Sequence, residues 1–290
     1  MDTRKQMQKD TLGLTNRGIS EAGFNWEDFW QHQLIRIKEI AEGEQAPKED
    51  ASGTSKSTRM KHEISADGIS DRQMINEDKI ERLEMRIFVI GATGHTGTQI
   101  VDLALSRGHE VTAFVRSPHK IGRQDPRLKV LAGDPHNVEQ LTSALPRHDV
   151  VLSALGVRPP QAFRPHTLVK DCASATVKAM KKAGISRIAL VSAAVLFPER
   201  GLTFAFFRRL LKHIARDLEQ AEEILRNSGL DWTIVRPPRL TNGSNERYRI
   251  AENALPEKGF SASFRAVAAF MLDATEQRSH VHEIVGLAKA

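Results

Sequence analysis

The sequence predicts an α/β fold in which a parallel sheet is covered by helices on both faces. From residue 85 onward, short apolar segments alternate with segments in which apolar residues recur at helical spacing, and this alternation is typical of parallel α/β sheets. The apolar segments are nearly continuous, as expected for strands buried on both faces. A glycine-rich turn directly follows the first of them. These observations together indicate a doubly wound sheet over residues 85–290.

The glycine-rich turn occupies residues 91–97, which read Gly-Ala-Thr-Gly-His-Thr-Gly, and it follows a predicted strand at residues 86–90. Gly91 lets the chain leave the strand in a tight turn, and Gly94 leaves room for a pyrophosphate beside the backbone. Gly97 lets the next helix pack closely on the strand. The alternative is a glycine turn that serves packing alone.

A helix is predicted to begin at Thr98, and its N-terminus offers free N–H groups and a partial positive charge to phosphates. A second strand at residues 111–115 completes a β-α-β unit of about 30 residues, the size expected for this motif. We therefore predict a Rossmann-type dinucleotide site at this turn.

The residues after the second strand bear on the choice of cofactor. A fold of this type that prefers NAD carries an acidic residue there to hold the ribose 2′-hydroxyl, whereas an arginine suits a 2′-phosphate. This chain has Arg116 and Ser117, followed by His119 and Lys120. The sequence therefore predicts NADP(H), and the alternative is that Arg116 is only a solvated charge at a strand end.

The remaining elements follow in alternation. Further strands are predicted at 128–132, 148–156, 187–192, 231–236 and 282–287, and helices at 138–145, 167–183, 203–227 and 264–274. Ligands of such sheets bind at the carboxyl ends of the strands. The predicted edge therefore carries the glycine turn, Arg116, Asp134, 154–156, Ser192 and 237–239.

Residues 1–84 have a different composition and are predicted to form a flexible N-terminal extension to the domain at 85–290. Within them, one amphipathic helix is predicted at residues 25–41, where Trp26 and Trp30 belong to an apolar stripe. That helix either docks on its own domain or binds a protein partner, since its mixed charges disfavour a membrane surface. Residues 42–78 are too polar to pack and are predicted to be disordered. Met85 lies immediately before the first strand, where a stand-alone domain of this kind normally begins, so the extension is either a genuine accessory segment or the result of an upstream start.

Composition excludes several classes of function. The formal net charge is +6, but no dense block of lysine and arginine indicates a nucleic-acid site. No apolar run approaches the roughly 20 residues of a membrane helix, and no secretory signal is visible. The single cysteine, Cys172, and the lack of a Cys/His cluster predict no disulfide and no metal. A reducing compartment follows, and we expect a cytoplasmic protein.

Six short motifs in order resemble a known family. They are G-A-T-G-H-T-G at 91–97, V-R-S at 115–117, G-D at 133–134, S-A-L-G at 153–156, V-S-A at 191–193 and S-G-L-D-W-T-I-V-R-P-P at 228–238. Over residues 85–290 the chain is similar to the atypical short-chain dehydrogenase/reductases. Within them it most resembles the NAD(P)H-binding branch that contains biliverdin reductase B/flavin reductase and the NmrA-like proteins.

The resemblance implies roles for individual residues. The pyrophosphate would be wrapped by Gly91, Thr93, Gly94, His95, Thr96 and Gly97, and the 2′-phosphate held by Arg116 with Ser117. Asp134 would lie beside the adenine, and Ala154, Leu155 and Gly156 would follow the ribose. At the nicotinamide end, Ser192 and Arg239 are the candidate catalytic residues, and Pro237 and Pro238 border the same pocket.

The chain also departs from the family. It has no Tyr-x-x-x-Lys acid pair, and its only tyrosine, Tyr248, lies beyond the sixth strand. Arg239 occupies a position that is histidine in biliverdin reductase B, and an arginine is suited to anchor an anionic substrate. No activating neighbour of Ser192 is evident. The acidic residues Asp217, Glu219, Glu222 and Glu223 are expected on a solvated helix face.

Two functions follow from this sequence. The first is an NADPH-dependent reductase that passes hydride to a small conjugated acceptor such as a flavin or a quinone. The second is a non-catalytic NADP(H)-sensing protein of the NmrA-like type that binds a partner.

Overall fold

The computed structural model describes residues 84–157, 164–198, 209 and 211–290. All of them belong to a compact unit that runs from Arg82 to Ala290. The predicted helix at 25–41, the predicted linker at 42–78 and part of the predicted helix at 203–227 lie outside the described residues.

The described part of the chain forms an eight-stranded sheet in the order β3-β2-β1-β4-β5-β6-β10-β8. Its strands are β1 (Arg86–Ile90), β2 (Glu110–Val115), β3 (Leu128–Ala132), β4 (Val150–Ser153), β5 (Arg187–Val191), β6 (Asp231–Arg236), β8 (Tyr248–Glu252) and β10 (Glu283–Lys289). Every neighbouring pair is parallel except β10 with β8. From β1 the strands β2 and β3 follow on one side and β4, β5 and β6 on the other, so the strand order reverses between β1 and β4. This confirms the doubly wound α/β prediction.

Helices cover both faces of the sheet. They are α1 (His95–Ser106), α2 (Val138–Ala144), α3 (Leu168–Ala183), α4 (Lys212–Arg226) and α5 (Phe264–Glu276). The helices α1 and α5 share a buried core on one face, and α2, α3 and α4 share another core on the opposite face. Short 3-10 turns at Pro118–Lys120 and Ala194–Leu196 follow β2 and β5.

Strand β1 is buried on both faces from Ile87 to Ile90, and these four residues are all apolar. Ile87 and Val89 pack in the core under α1 and α5, whereas Phe88 and Ile90 pack in the core on the other face. All four side chains are fully buried. Burial of each contributes on the order of 1.5–3 kcal/mol, so residues 87–90 are apolar toward both cores, whereas Arg86 at the start of the strand is exposed.

The start of β1 is fixed by a buried histidine. The backbone N–H of Met85 donates to His109 Nδ1 at 3.3 Å, and His109 Nε2 lies 3.0 Å from Glu276 Oε1. Because Nδ1 accepts a hydrogen bond, Nε2 carries the proton and donates to the carboxylate. Arg107 Nη1 bonds the same Glu276 oxygen at 3.0 Å, which ties the ends of α1 and α5 together.

The structure adds elements that the apolar pattern did not predict. Strand β8 forms an antiparallel edge, and two short strands, β7 (Arg239–Thr241) and β9 (Ser261–Ser263), pair beside the main sheet. These segments carry few buried side chains, so they lack the periodicity by which strands are predicted. Helix α1 begins at His95, three residues before the predicted Thr98, because Gly94 already takes the N-cap position.

Candidate functional site

The strand registers bring the predicted site residues to one edge of the sheet. In the parallel pairs, Ile90 aligns with Phe114 and with Ser153, and Ser153 aligns with Leu190. The residues that follow these strands therefore lie side by side. Across the sheet they are Asp134 after β3, Arg116 and Ser117 after β2, Gly91 after β1, Ala154, Leu155 and Gly156 after β4, Ser192 after β5, and Pro237 and Pro238 after β6.

Gly91 is required both by backbone conformation and by space. Its φ is +82°, in the left-handed region that favours glycine. A Cβ at this position would lie 2.8 Å from the carbonyl carbon of Ala154 and 2.9 Å from Leu155 N. The exit from β1 thus runs directly against the exit from β4, and this agrees with the tight turn predicted at Gly91.

The other two glycines shape the turn. A Cβ at Gly97 would lie 2.1 Å from the carbonyl oxygen of Gly91, so only glycine lets α1 pack this closely on the turn. The backbone N–H of Gly94 donates to Gly91 O at 2.9 Å. Near a Cβ at Gly94, only Gly91 O at 3.2 Å and Ala154 O at 3.9 Å would lie within 4 Å. The described residues therefore leave space beside Gly94.

The first turn of α1 suits a phosphate. Gly94 is its N-cap, no side chain caps it, and no acidic residue lies in its first turn. The N–H groups of His95, Thr96 and Gly97 have no partner within the helix because of their position. They carry the positive end of the helix dipole. The predicted residues of the turn, including Thr93, are thus brought together around a place suited to an anion.

The His95 side chain lies aside from this turn. It is exposed, and its ring stacks on Phe264 at 4.9 Å between centroids and 25° between planes. Phe264 opens α5, whose N-terminus is capped by Ser263 Oγ accepting from Ala266 N at 2.9 Å. His95 therefore contributes its backbone to the turn and its ring to the contact between α1 and α5.

Arg116 is exposed and makes no ion pair with any residue that the structure describes. The carboxylate of Asp134, after β3, accepts a hydrogen bond from His136 N at 3.0 Å and is 2.8 Å from His136 Nδ1. These two hydrogen bonds lower the pKa of Asp134, and the charge of Arg116 adds to the effect. Asp134 thus stays ionised and engaged with His136, which leaves the guanidinium of Arg116 available to a ligand.

A buried network surrounds Ser192, contrary to the expectation that nothing nearby acts on it. Ser192 Oγ donates to Glu222 Oε1 at 2.6 Å. Arg236 donates to the same oxygen through Nε at 2.9 Å and to Oε2 through Nη2 at 2.5 Å. Glu222 is 1% exposed. The interpretation of Glu222 as part of a solvated helix face is therefore wrong.

The same correction applies to Asp217, which is also 1% exposed. Its carboxylate accepts from the backbone N–H groups of Val169 at 3.0 Å and Lys170 at 2.9 Å. These are orphan donors at the start of α3, so Asp217 caps that helix from α4. Its role is to hold two helices together.

One signal in the sequence indicates that Glu222 is buried. The buried apolar residues of α4 include Leu218, Ala221 and Leu225, and Glu222 falls between them on the same stripe. A carboxylate inside an apolar stripe requires a charged partner. Arg236, at the end of the next strand, is that partner.

The loop after β6 borders the other end of the edge. Pro237 O accepts from Ala194 N at 2.9 Å, which joins the exits of β6 and β5. Arg239 follows Pro238 and begins β7, where it pairs with Ser261. Its Nε atom is buried and has no hydrogen-bond partner among the described residues. The Arg239 guanidinium therefore keeps an unused donor close to the edge.

Tyr248 is already hydrogen-bonded through its hydroxyl to an acidic residue of α5. Its hydroxyl donates to Asp273 Oδ2 at 2.6 Å, and its ring packs edge-on against Phe270. Burial and the neighbouring carboxylate raise its pKa above the usual range. Tyr248 is thus unsuited to act as a general acid, as its sequence position predicted.

Within the described ranges, no group of three or more His, Cys, Asp or Glu side chains could hold a metal ion, and no helix is long and apolar enough to cross a membrane.

This fold and this edge define a dinucleotide-binding Rossmann protein. The residues present fit the diphosphate, because the turn leaves space beside Gly94 and the first turn of α1 carries no acid. The chain matches the family of NAD(P)H-binding proteins over residues 91–278, and it therefore belongs to that family. The predicted relationship to the NAD(P)H-binding branch of the atypical short-chain dehydrogenase/reductases is confirmed, and the cofactor class is a nicotinamide dinucleotide.

Three known proteins illustrate the relationship. An uncharacterised chloroplastic protein of Arabidopsis thaliana is 31% identical over 219 residues, which cover 71% of this chain and 78% of the relative. Photosystem II assembly factor Ycf39 of Guillardia theta is 30% identical over 173 residues, or 57% of this chain and 50% of that protein. The crystal structure of a short-chain dehydrogenase/reductase from Veillonella parvula with NADP has a TM-score of 0.58 at 21% identity, over 71% of this chain and 94% of that one. The last likeness shows a shared fold.

Proposed function

We propose that this protein is an NADPH-dependent reductase that transfers hydride to a small conjugated acceptor such as a flavin or a quinone. The observation that carries the proposal is Arg116, an exposed guanidinium at the end of β2 without an ion-pair partner among the described residues. Residues 116 and 117 offer no carboxylate for a ribose 2′-hydroxyl. A free arginine at this place favours a 2′-phosphate.

The two halves of this edge would bind different parts of the cofactor. Strands β1, β2 and β3 present the glycine turn, Arg116 and Asp134, and these residues would bind the diphosphate and the adenosine part. Strands β4, β5 and β6 present Ala154 to Gly156, Ser192 and Pro237, and these would border the nicotinamide. When bound, the nicotinamide supplies a hydride; the protein supplies position and a site from which water is excluded.

Arg239 bears on the class of acceptor. Its guanidinium is half-buried and makes no ion pair with any residue that the structure describes. An acceptor with a phosphate or a carboxylate would pair with that charge. We therefore favour an anionic conjugated acceptor, for which a flavin mononucleotide is a suitable probe.

The proposal is tested by measuring NADPH oxidation with flavin mononucleotide, riboflavin, quinones and tetrapyrroles under identical conditions. Flavin mononucleotide is expected to react with a lower KM than riboflavin, which lacks the phosphate. The Arg239→Gln variant is expected to remove that difference and leave NADPH affinity unchanged. Turnover that is absent with every acceptor, together with tight NADPH binding, would refute the reductase.

A second candidate function is a non-catalytic NADP(H) sensor that binds a partner. One observation favours it: within the described part of the edge, the candidate acids are already engaged, because Ser192 donates to Glu222 and Tyr248 donates to Asp273. One relative is named as an assembly factor. The sensor predicts NADPH binding without turnover, and the partner search would include the segment at residues 25–41.

A further inference from the structure

A buried acid, a guanidinium and a hydroxyl meet where β5 and β6 end. Glu222 accepts from Ser192 Oγ at 2.6 Å and from Arg236 Nε at 2.9 Å, both on Oε1, and from Arg236 Nη2 at 2.5 Å on Oε2. Glu222 is 1% exposed and Ser192 is 7% exposed. None of the cofactor contacts proposed above involves this carboxylate, which lies on α4 and contacts the residues at the ends of β5 and β6.

The network determines where the serine proton points. A carboxylate paired on both oxygens with a guanidinium is ionised and can only accept hydrogen bonds. Ser192 has one hydroxyl proton, and that proton is donated to Glu222. The lone pairs of Ser192 Oγ are what remain for a ligand at the edge, so Ser192 offers an acceptor and no donor.

The network is also held rigid. Arg236 Nη1 donates to Leu196 O at 3.1 Å, and the guanidinium carbon lies 4.8 Å from the centroid of the Phe197 ring. Both residues belong to the segment that leaves β5 just after Ser192. The direction of the serine hydroxyl is therefore set before a cofactor arrives, which is the condition for a preorganised contact.

The position of Ser192 identifies the group that it receives. A dinucleotide lies across the point where the strand order reverses. The glycine turn and Arg116 mark the phosphate and adenosine half at β1 and β2, so the nicotinamide half falls over β4, β5 and β6. The nicotinamide ring carries a carboxamide with two N–H donors. An acceptor at the end of β5 complements that group.

We propose that Glu222 is a positioning residue: held by Arg236, it takes the Ser192 proton and so sets Ser192 to accept a hydrogen bond from the nicotinamide carboxamide. This inference rests on the proposed cofactor. It makes Ser192 an orienting group for the nicotinamide and excludes it as the proton donor to the acceptor.

The test compares NADPH with its reduced 3-acetylpyridine analogue, in which a methyl group replaces the carboxamide nitrogen. Dissociation constants and kcat are measured for both in the wild type, in Ser192→Ala and in the double variant Glu222→Leu/Arg236→Leu, which leaves no unpaired buried charge. The matched control is Ser228→Ala, because Ser228 is also a buried hydroxyl, bonded to Leu225 O at 2.6 Å, but at the opposite edge of the sheet.

The wild type is expected to bind NADPH about fivefold more tightly than the analogue, the value of one hydrogen bond. Ser192→Ala is expected to abolish that preference by weakening NADPH alone. The double variant Glu222→Leu/Arg236→Leu is expected to reduce the preference below twofold, because it removes the acid together with its guanidinium partner and leaves the serine proton free to turn toward the edge. Ser228→Ala keeps the full preference.

A wild type without the preference, a Ser192→Ala variant that retains it, or a double variant Glu222→Leu/Arg236→Leu with the wild-type ratio overturns the inference. So does a Ser192→Ala variant whose kcat falls equally with both cofactors, since that result marks Ser192 as the proton donor. If Ser192→Ala does not fold, the double variant decides alone. A wild type that binds neither cofactor refutes the proposed function as well, whereas one that binds NADPH and fails these comparisons refutes this inference only.

Discussion

Replacing Arg116 by alanine tests the cofactor preference most directly. The guanidinium is exposed at the end of β2 and has no ion-pair partner among the described residues, so its loss leaves no buried charge behind. A charge-assisted hydrogen bond contributes about 1.5–3 kcal/mol, and solvent screening places an exposed contact toward the lower value. Since 1.4 kcal/mol is tenfold in affinity, Arg116→Ala is expected to weaken NADPH binding about tenfold or more.

The assay is a titration of NADPH and NADH with the wild type, Arg116→Ala and Arg116→Lys, at low and at high salt. NADH lacks the 2′-phosphate, so its affinity is expected to be the same in all three proteins. Arg116→Lys keeps the charge but loses bidentate geometry, and an intermediate affinity for NADPH is expected. Equal wild-type affinities for NADPH and NADH, or an Arg116→Ala variant that weakens both, would refute the reasoning.

Four further predictions follow from the described contacts. Gly94→Val is expected to abolish NADPH binding and turnover while circular dichroism stays unchanged, because the added side chain enters the space beside the turn; retained binding would contradict this. Gly97→Ala is expected to lower Tm by several degrees even without ligand, since its Cβ would lie 2.1 Å from Gly91 O; an unchanged Tm would argue against the close packing. A protein that begins at Met85 is expected to melt and to bind NADPH like the full chain, and a loss of affinity beyond about tenfold would place the domain boundary earlier. Burial lowers the pKa of His148, so the unfolded state binds more protons and stability is expected to fall as pH drops below about 6.5; urea unfolding at several pH values should show a flatter dependence in His148→Gln.

Sequence reasoning predicted the central strands well, because burial on both faces makes them largely apolar. The predicted bounds of β1 and β6 are the observed ones, at Arg86–Ile90 and Asp231–Arg236. The edge strand β3 was also predicted at its observed bounds, Leu128–Ala132, because it is mostly apolar although none of its residues is fully buried. The other edge strand, β8, was missed because charged residues interrupt its apolar ones and none of its residues is fully buried. The parallel arrangement of the strands was predictable, because alternating strands and helices permit few connections. The antiparallel pairing of β8 with β10 was not, because it leaves no local pattern in the sequence.

The positions of the site residues were predictable for the same reason: parallel strands end at one edge, and the motifs stand at their ends. Their partners were not. Asp134 is held by His136 two residues later, which is a local contact that a turn sequence can indicate. Ser192 is held by Glu222, thirty residues later and on another element. No spacing rule connects them, because the contact depends on how α4 is rotated over β5.

That rotation is nevertheless constrained by the apolar stripe of α4, and this constraint extends to the chemistry of the site. Leu218 and Leu225 are buried on the face that meets the sheet, and Glu222 lies between them. A carboxylate on that face would cost several kcal/mol if it stayed unpaired. The arginine that ends β6 removes this cost only if it meets both carboxylate oxygens. Once it does, the carboxylate is ionised and accepts a hydrogen bond from the neighbouring serine hydroxyl. The hydrogen-bonding character of Ser192 is thus decided by the packing of an acidic residue in the core, and a strand-end motif considered alone does not contain that information.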